Sequence, residues 1–475
     1  MKLSALVSEL EYKGSFEDAE VNFITDNSAE ICAGCVFICI KGMHFDGHAK
    51  AGEAIAKGAA AVIVERDMGL PNQIIVENSR IAFGKISSAF YSHPEKKLHI
   101  IGITGTNGKT TTAFILRSAL EQLGVKAGMI GTVKNVIGDK EYTASLTTPD
   151  QFELYSLFDE MVKAGCEYCV MEVSSQGLDL HRVEGIEFDC GIFTNLTQDH
   201  LDYHGTKENY MLAKRKLFEH SNISIFNSDD EAWSFMSEKA KAKCVTFSLD
   251  NDSSDYTAKS IKLKASGVQY EIVSKDNIGR VCFPVPGQFS IYNSMCAAVC
   301  LMELGFDFKK VVEAISLCKG VPGRMEVVPT DKPFTIIIDY AHTPDGLQNV
   351  LSSLREVTSG KIISVFGCGG DRDKTKRPIM GEIGAKLSDI AIITSDNPRS
   401  ENPQSIIDDV VSGIEKHHSK IIVEIDRTEA IKKAISLAGD GDVIVLAGKG
   451  HETYQILSSG KIHYDEREIV ASILS

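Results

Sequence analysis

Residues 102–124 read GITGTNGKTTTAFILRSALEQLG, and this stretch decides the fold. It follows an apolar run at residues 98–101, which is typical of a buried strand, and it passes through a glycine-rich turn into a helical pattern. The backbone N–H groups of such a turn, together with the N-terminal end of the helix, can converge on phosphate oxygens. The sequence therefore predicts an α/β domain with a phosphate-binding turn.

Four residues of the turn are suited to a nucleotide, namely Gly105, Gly108, Lys109 and Thr110. The lysine supplies positive charge beside the phosphates, and the threonine hydroxyl can reach a magnesium ion. The general phosphate-loop motif would need a glycine at position 103, where this chain has Ile103. The turn predicts nucleotide binding, but it does not distinguish a switch, a pump, a kinase or a ligase.

The composition is that of an ordinary globular protein, with 43% hydrophobic and 24% charged residues among 475. The formal charge of -15 argues against nucleic acid as a partner, because phosphate contacts need an excess of lysine and arginine. No apolar run approaches the roughly 18 residues of a membrane span, and Glu9 and Glu11 stand where a signal peptide would stay apolar. We therefore expect a cytoplasmic protein with no nucleic-acid or membrane partner.

The twelve cysteines are scattered through apolar segments, which is typical of buried free thiols. Cys32 and Cys35 have the spacing of a metal-binding pair. No second pair lies at a zinc-site distance, so we do not expect a metal there.

Three series of alternating strands and helices follow one another along the chain. Residues 1–97 predict a small N-terminal α/β domain, and residues 98–325 predict a central domain with a parallel sheet of the P-loop ATPase type. Within the central domain, residues 245–285 alternate in a way typical of antiparallel strands, which suggests an appendage. Residues 326–475 predict a Rossmann-like C-terminal domain, whose ligands should lie at the carboxyl ends of the strands.

Some polar residues outside the turn have two interpretations. Glu172 ends an apolar strand, where its carboxylate can face the phosphate turn and hold a hard cation. His200 and His204 have the helical spacing of a zinc pair, but structural or hydrogen-bonding roles are favoured because no third ligand is in view. Lys214 lies beside two further basic residues, which is typical of a solvated helix face.

The chain resembles the Mur ligase superfamily, whose shortened phosphate loop T-G-T-x-G-K-T is found here at residues 104–110. The resemblance continues over nearly the whole chain, and it implies an ATP-dependent amide ligase of peptidoglycan precursor synthesis, with ATP and Mg²⁺ as cofactors. The branch it points to joins meso-diaminopimelate to the D-glutamate of UDP-N-acetylmuramoyl-L-alanyl-D-glutamate through an acyl phosphate. It also implies a monomer with these two small-molecule substrates as its partners.

The resemblance implies roles for individual residues. The catalytic residues would be Lys109, Glu172, His200 and Lys214, the last as a lysine carbamylated by carbon dioxide. The ATP-binding residues would be Gly105, Thr106, Asn107, Gly108, Lys109, Thr110, Thr111, Asn293, Arg324 and Asp339. The metal site would comprise Thr110, Glu172, His200 and Lys214. The UDP-linked dipeptide would be held by Ser28, Met43, His44, Phe45, Thr147, Thr148, Ser174 and Arg182. Diaminopimelate would be held by Arg372, Asp396, Asn397, Pro398, Arg399, Gly448 and Glu452.

One position departs from the family pattern. The family usually has Asp-Ser-Arg where this chain has Asn27, Ser28 and Ala29. An arginine contact to the precursor is therefore missing or is supplied elsewhere. Residues 147–150, Thr-Thr-Pro-Asp, also have a plainer interpretation as the cap that begins a helix.

The segment Asp396-Asn397-Pro398-Arg399 is the strongest signal of substrate specificity. A turn with asparagine and proline needs no functional explanation. Its arginine can bind a carboxylate through two hydrogen bonds, and diaminopimelate differs from lysine chiefly by a second carboxylate at its far end. An arginine left unpaired in a closed pocket would disfavour lysine. By the same resemblance, Glu452 would bind the ammonium end.

Other functions compete with this hypothesis. Within the enzyme class they are an L-lysine-adding ligase of the same branch and a folate polyglutamylating ligase, which should lack the N-terminal domain seen here. From a different class, a non-catalytic ATP-driven switch would keep the fold without ligation. That switch would be expected to lack Glu172, Lys214 or Arg399, all of which are present.

Overall fold

The computed structural model has two compact units. It describes residues 1–42, 45–197, 199, 201–414 and 420–475. The first unit comprises Met1–Tyr256 and Cys296–Asp307, and the second comprises Thr257–Met295 and Phe308–Ser475. Both units contain parallel strands connected by helices, so the predicted α/β class is confirmed. The predicted domain boundaries after residues 97 and 325 stay predictions.

The first 97 residues form a small parallel sheet. Its elements are α1 (Leu3–Leu6), β1 (Phe23–Thr25), β2 (Cys35–Ile38), α2 (Ala51–Ala56), β3 (Ala61–Val64), β4 (Gln73–Ile75) and α3 (Ser79–Phe90). The strand order is β1-β2-β3-β4, and all three pairings are parallel. The two central strands are buried along their whole length, as their continuous apolar sequences predict.

A larger sheet follows in the same unit. Its elements are β5 (His99–Thr104), α4 (Lys109–Gln122), β6 (Ala127–Ile130), β7 (Lys134–Ile137), β8 (Lys140–Thr143), α5 (Gln151–Lys163), β9 (Tyr168–Glu172), α6 (Ser175–Asp179), β10 (Phe188–Phe193), α7 (Leu201–His204), α8 (Lys207–Glu219), β11 (Ser221–Asn227), α9 (Trp233–Ser237) and β12 (Lys243–Ser248). Strands β12-β11-β10-β5-β9-β6 are parallel neighbours, and β7 and β8 continue the sheet in antiparallel pairing.

The register of this sheet brings three strand ends to one edge. Ile103 of β5 pairs with Glu172, the last residue of β9, and Thr104 pairs with Phe193, the last residue of β10. The phosphate turn therefore lies beside the loops that follow β9 and β10, which is where ligands of open parallel sheets bind.

Aromatic packing joins the small sheet to the larger one within the first unit. Phe152 of α5 lies with its ring centre 5.3 Å from Phe23, 5.6 Å from Phe90 and 5.3 Å from Tyr91. Such edge-on and tilted contacts are the favoured geometries of aromatic pairs. Phe152 is thus an anchor of this packing.

The second unit begins with antiparallel strands. The elements are β13 (Tyr256–Lys264), β14 (Gly267–Val273), β15 (Ile278–Phe283), α10 (Gln288–Glu303) and α11 (Phe308–Leu317). Tyr256 and the part of α10 from Cys296 onward belong to the first unit. The predicted antiparallel stretch from residue 245 was wrong at its start, because β12 pairs in parallel with β11. The outer residues of β12 are partly exposed. A parallel strand with exposed residues can show the same alternation of polar and apolar residues as an antiparallel strand.

The rest of the second unit contains the C-terminal sheet. Its elements are β16 (Glu326–Val328), β17 (Thr335–Asp339), α12 (Pro344–Arg355), β18 (Ile362–Phe366), α13 (Lys376–Leu387), β19 (Ile390–Ile393), α14 (Pro403–Val411), β20 (Lys420–Val423), α15 (Arg427–Leu437), β21 (Val443–Ala447), β22 (Tyr454–Leu457), β23 (Gly460–His463) and α16 (Glu466–Leu474). Six of these strands form the sheet, in the order β16-β17-β21-β18-β19-β20, where β16 pairs in antiparallel and the other described pairings are parallel. Strands β22 and β23 form a separate antiparallel pair. The carboxyl ends of β17, β21, β18 and β19 share one edge. Among the helices of the described ranges, none combines the length and apolarity needed to cross a membrane.

The cysteines form no disulfide bonds. All twelve are free thiols and most are buried, as their apolar surroundings predict. Cys32, Cys244 and Cys282 are exposed, so the expectation of burial was wrong for these three. Each lies in a turn or on a partly exposed strand, where neighbouring apolar residues point away from the solvent-facing side.

Replacing Phe152 by alanine is expected to destabilise the first unit by about 2–4 kcal/mol, because it leaves a cavity among three aromatic rings. Urea denaturation followed by circular dichroism measures this change. Leu212→Ala, at an exposed position of α8, is the control and should cost less than about 1 kcal/mol. Equal unfolding midpoints for Phe152→Ala and the wild type would contradict the anchoring role.

Candidate active site

The turn between β5 and α4 has the backbone of a phosphate loop. Gly105 and Gly108 have φ angles of 146° and 84°, a region that favours glycine. Lys109 is the first residue of α4, so the positive end of the helix dipole lies at the turn. Thr106 and Asn107 complete the turn, and Thr111 is half-buried in the first turn of the helix.

The loop after β10 fixes the shape of the phosphate turn. Thr194 Oγ1 donates to the carbonyl of Asn107 (2.7 Å), and Asn195 Oδ1 accepts from the backbone N–H of Asn107 (3.0 Å). A Cβ on Gly105 would overlap the Thr194 hydroxyl. Neither Thr194 nor Asn195 was predicted, although their position directly after a strand could have indicated them.

Two lysines share one carbonyl of the turn. Lys109 Nζ donates to the carbonyls of Gly105 (2.9 Å) and Thr106 (2.8 Å), and Lys214 Nζ donates to the same Gly105 carbonyl (2.8 Å). Lys214 is 1% exposed, and its ammonium lies 4.5 Å from the ring centre of Tyr210. The interpretation of Lys214 as a solvated surface cation was therefore wrong, because the side chain turns inward to the phosphate turn.

The pKa values of Lys109 and Lys214 are both lowered. Burial lowers the pKa of Lys214 well below the ordinary lysine value, and the positive charge of Lys109 lowers it further, against an opposing effect of Asp199. Burial also lowers the pKa of Lys109, while Glu172 and Asp199 oppose that change. The site therefore favours a neutral amine on Lys214 to a degree that an exposed lysine does not reach.

The carboxylate of Glu172 is buried and fixed by hydroxyl and amide donors. Thr110 Oγ1 lies 2.9 Å from both carboxylate oxygens, so the predicted pair is brought together. The backbone N–H and the hydroxyl of Thr132 also donate to it, at 2.9 and 3.0 Å. Thr132 was not predicted, although it follows β6, the strand that pairs with β9. Gly131 leaves room for the carboxylate, since a Cβ there would overlap it.

The predictions for His200 and His204 have different outcomes in the structure. His200 lies outside the described residues. His204 is buried, and its Nε2 lies 2.9 Å from the hydroxyl of Ser175 at the start of α6. This contact agrees with the hydrogen-bonding interpretation of His204.

Three of the predicted precursor-binding residues meet beside Glu172. Thr148 Oγ1 donates to the carbonyl of Glu172 (3.0 Å) and accepts from the backbone N–H of Ser174 (3.0 Å). Arg182 donates to the carbonyl of Thr148 (2.9 Å) and pairs with Asp150 (2.9 Å). These contacts connect the precursor residues to the strand end that carries the buried carboxylate.

The remaining described precursor residues lie near the hydroxyl network or in the N-terminal part of the chain. Thr147 Oγ1 lies 3.1 Å from the hydroxyl of Thr132, which itself binds Glu172. Ser28 begins a short 3₁₀ turn whose amide at Ala29 is capped by the Asn27 side chain (3.0 Å). Phe45 is exposed, while Met43 and His44 lie outside the described residues.

The predicted adenosine and phosphate residues of the second unit are held by local contacts. Asp339 is buried and accepts from the backbone N–H of Met325 (2.7 Å), and burial raises the pKa of its carboxyl against that hydrogen bond. The Arg324 guanidinium lies 5.6 Å from the ring centre of Tyr340. Asn293 is buried in α10.

The predicted amino-acid residues come together at the carboxyl edge of the C-terminal sheet. Asn397 Nδ2 donates to Glu452 Oε2 (2.9 Å), and a Cβ on Gly448 would lie 3.9 Å from the Asp396 carboxylate. Lys449 is buried among them and was not predicted. Its position between Gly448 and Gly450 gave no signal of burial, because lysine is usually exposed.

The two predicted arginines flank the same glycine. A Cβ on Gly369 would lie 2.9 Å from Arg399 Nη1 and 3.7 Å from the side chain of Arg372. Arg399 has a φ of 51° and donates to the carbonyl of Gly370 (2.8 Å). Pro398 before it is buried, whereas Arg372 is exposed. The backbone strain at Arg399 is of the kind found at functional sites.

Three family models match the chain. They are described as the Mur ligase family catalytic domain at residues 20–93, the Mur ligase middle domain at residues 103–301 and the Mur ligase glutamate ligase domain at residues 323–450. Together they cover most of the chain and include the phosphate turn and the segment at residues 396–399.

Curated relatives and solved structures match over nearly their full length. A UDP-N-acetylmuramoyl-L-alanyl-D-glutamate–2,6-diaminopimelate ligase of Clostridium perfringens is 49% identical over 100% of this chain and 99% of its own. A solved structure of a ligase with that name is 30% identical, with a TM-score of 0.80 over 100% of this chain and 98% of the other. A MurF ligase from Thermotoga maritima in complex with ADP is 22% identical, with a TM-score of 0.56 over 96% and 97% of the two chains, and shares the fold.

Replacing Gly105 by alanine is expected to weaken ADP binding by at least about tenfold, because the added Cβ overlaps Thr194 and the φ angle disfavours it. Isothermal titration calorimetry with ADP and Mg²⁺ measures the affinity. Gly124→Ala is the matched control, since its φ is also positive (81°) but no atom lies within 4 Å of the new Cβ. Equal ADP affinities for Gly105→Ala and the wild type would contradict the assignment.

Proposed function

This chain belongs to the Mur ligase family, and from that we propose that it joins meso-diaminopimelate to the D-glutamate of UDP-N-acetylmuramoyl-L-alanyl-D-glutamate with the use of ATP. The full-length likeness to the clostridial diaminopimelate ligase carries the proposal. The product is a peptidoglycan precursor. We further propose that the enzyme acts in the cytoplasm as a monomer.

The reaction needs ATP because a free carboxylate is a poor acyl donor. A D-glutamate carboxylate oxygen attacks the γ-phosphorus, and ADP leaves with the electron pair of the broken P–O bond. The amine of diaminopimelate then attacks the acyl carbon, phosphate leaves, and the amine gives up a proton. The position of Lys109 at the turn supports its role in holding positive charge against the transferred phosphoryl group.

We assign Mg²⁺ to Thr110 and Glu172. The hydrogen bonds that the described residues donate to the buried Glu172 carboxylate come from neutral groups, so a cation would balance its charge. Hydroxyl and carboxylate oxygens are the donors that Mg²⁺ prefers. When bound, the ion supplies positive charge that stabilises the phosphoryl group in transfer. The proposed ligand His200 lies outside the described residues.

We also propose that Lys214 is carbamylated. The ammonium first loses a proton to solvent. The neutral amine then attacks carbon dioxide, an N–C bond forms while one C–O π bond opens to place its electron pair on oxygen, and the nitrogen releases a second proton to solvent. The two steps together turn a cation into an anion. The lowered pKa of Lys214 supports this step, because it increases the fraction of neutral amine near neutral pH. An anion beside Lys109 would also replace a like-charge contact by an attractive one.

The amino-acid specificity is assigned to Arg399 with Arg372 beside it. A guanidinium matches the far carboxylate of diaminopimelate, which L-lysine lacks. Glu452 has the opposite charge, which suits an ammonium group of the substrate. The placement of Arg399 and Glu452 in adjoining loops of one sheet edge supports this division of roles.

The proposal is tested by an assay with two amino acids in parallel. Purified protein receives ATP, Mg²⁺ and the UDP-linked dipeptide with meso-diaminopimelate or L-lysine, and phosphate release and the peptide product are measured. Release that depends on diaminopimelate, with a tripeptide product, supports the proposal. Turnover with lysine alone would favour the lysine-adding ligase, and ATP hydrolysis without any product would favour the switch.

Carbamylation of Lys214 has a direct spectroscopic test. With ¹³C-bicarbonate, the wild type is expected to give a carbamate signal in ¹³C NMR that Lys214→Met lacks. The signal should grow as the pH rises, because only the neutral amine reacts. Lys216→Met, at a half-exposed position of the same helix, is the control and should keep the signal. A signal that persists in Lys214→Met would contradict the assignment.

Replacing Arg399 by alanine is expected to lower kcat/KM for diaminopimelate about 100-fold and to leave the KM for ATP unchanged, because only the far carboxylate loses its partner. Phosphate-release kinetics measure both quantities. Arg355→Ala is the matched control, since Arg355 forms an exposed ion pair with Asp389 (2.7 Å). Unchanged kinetics with diaminopimelate in Arg399→Ala would remove the specificity argument.

A further inference from the structure

Lys449 is a buried charged group for which the proposed mechanism has no role. Its exposed fraction is 0%. The flanking residues Gly448 and Gly450 have φ angles of 116° and 54°, both in the region that favours glycine. A Cβ on Gly450 would come within 2.6 Å of the Tyr340 Cβ. The backbone conformations of the two glycines therefore allow the loop to direct the Lys449 side chain into the interior.

The ammonium group of Lys449 has three oxygen partners. Its Nζ lies 3.1 Å from Asn397 Oδ1, 3.3 Å from Glu452 Oε2 and 3.4 Å from Asp396 Oδ1. An ammonium carries three N–H donors, so each oxygen can accept one of them. The ring of Tyr464 lies on another side, with its centre 5.8 Å away. Burial of this charge is thus compensated by hydrogen bonds and by two opposite charges.

Lys449 and Asn397 act on the same oxygen of Glu452. Asn397 Nδ2 donates to Glu452 Oε2 (2.9 Å), while Asn397 Oδ1 also accepts from the backbone N–H of Ile456 (2.9 Å). The amide of Asn397 is therefore fixed at both ends, and the Glu452 carboxylate is oriented by two donors. Removal of Lys449 would take away one of these donors and the positive charge that pairs with both carboxylates.

The charges of the cluster are matched to a single substrate ammonium. Asp396 and Glu452 carry two negative charges, and Lys449 carries one positive charge. The buried Arg427 also interacts with Asp396, but its charge is balanced by its ion pair with Glu466 (2.8 Å), so these side chains sum to one net negative charge. Without the lysine, the Asp396 and Glu452 carboxylates would lose the cation that pairs with both of them. This loss would alter the subsite that an incoming ammonium group meets.

We infer that Lys449 is a positioning residue for the amino-acid substrate. It orients Glu452 and Asn397 for the ammonium end of a diamino acid, and it keeps the subsite at one net negative charge. This inference rests on the proposed function, because it takes Glu452 as a substrate-binding group.

The test compares Lys449→Met with the wild type in phosphate-release kinetics. We expect the KM for meso-diaminopimelate to rise about 10- to 100-fold, because the Asp396 and Glu452 carboxylates lose their compensating charge. The KM for ATP should stay within about twofold, and kcat should change far less than the KM for the amino acid. Lys432→Met, which removes an exposed lysine of α15 paired with Glu429, is the matched control and should match the wild type.

Charge and hydrogen bonding are separated by two further variants. Lys449→Arg keeps the cation and is expected to recover part of the lost affinity for diaminopimelate, whereas Lys449→Gln keeps a donor without the charge and is not. The comparison of these two variants also tests the inference if Lys449→Met does not fold. Equal KM values for the arginine and glutamine variants would overturn the inference.

The other outcomes of the kinetic comparison distinguish the positioning role from the proposed function. A KM for diaminopimelate within about twofold of the wild type in folded Lys449→Met would overturn the positioning role. An equal rise in the KM for ATP and for diaminopimelate would also overturn it, because it would indicate a general loss of structure. Absence of diaminopimelate turnover in the wild type would instead contradict the proposed function.

Discussion

One backbone carbonyl, that of Gly105, accepts hydrogen bonds from the ammonium groups of Lys109 and Lys214, and the phosphate turn depends on this shared acceptor. Burial lowers the pKa values of both lysines, and the repulsion from the positive charge of Lys109 lowers that of Lys214 further. A nucleotide phosphate relieves the repulsion with negative charge, and a carbamate on Lys214 would relieve it from within. The phosphate turn therefore favours the binding of anions.

The second unit meets the same constraint with the opposite sign. The buried carboxylate of Asp396 and the partly buried carboxylate of Glu452 lie beside the buried ammonium of Lys449, which compensates one of the two negative charges. The remaining charge is available to a cationic group of a ligand. In both units, burial makes an unpaired charge costly. The excess charge at each site therefore indicates the sign of the charge that a ligand would bring. The two sites therefore favour different ligands for one physical reason.

Much of the fold and part of the candidate site could be predicted, because those features depend on neighbours in sequence. The apolar run that ends at Glu172 indicated a buried strand with a carboxylate at its end, and the structure brings that carboxylate to Thr110. Thr132 and Lys449 were missed because their roles depend on contacts with residues distant in the chain. β12 was misassigned because a partly exposed parallel strand has the same alternation as an antiparallel one.

The sequence by itself determined the glycine turn, the Lys-Thr pair that follows it, the order of strands and helices, and the family to which the chain belongs. Only the tertiary structure decided which charged side chains are buried. Lys214 lies in a basic helical segment that predicts exposure, yet it reaches a carbonyl 109 residues earlier in the chain. Local periodicity cannot show such a contact, because the cost of burying a charge is offset by partners that only the folded chain brings near.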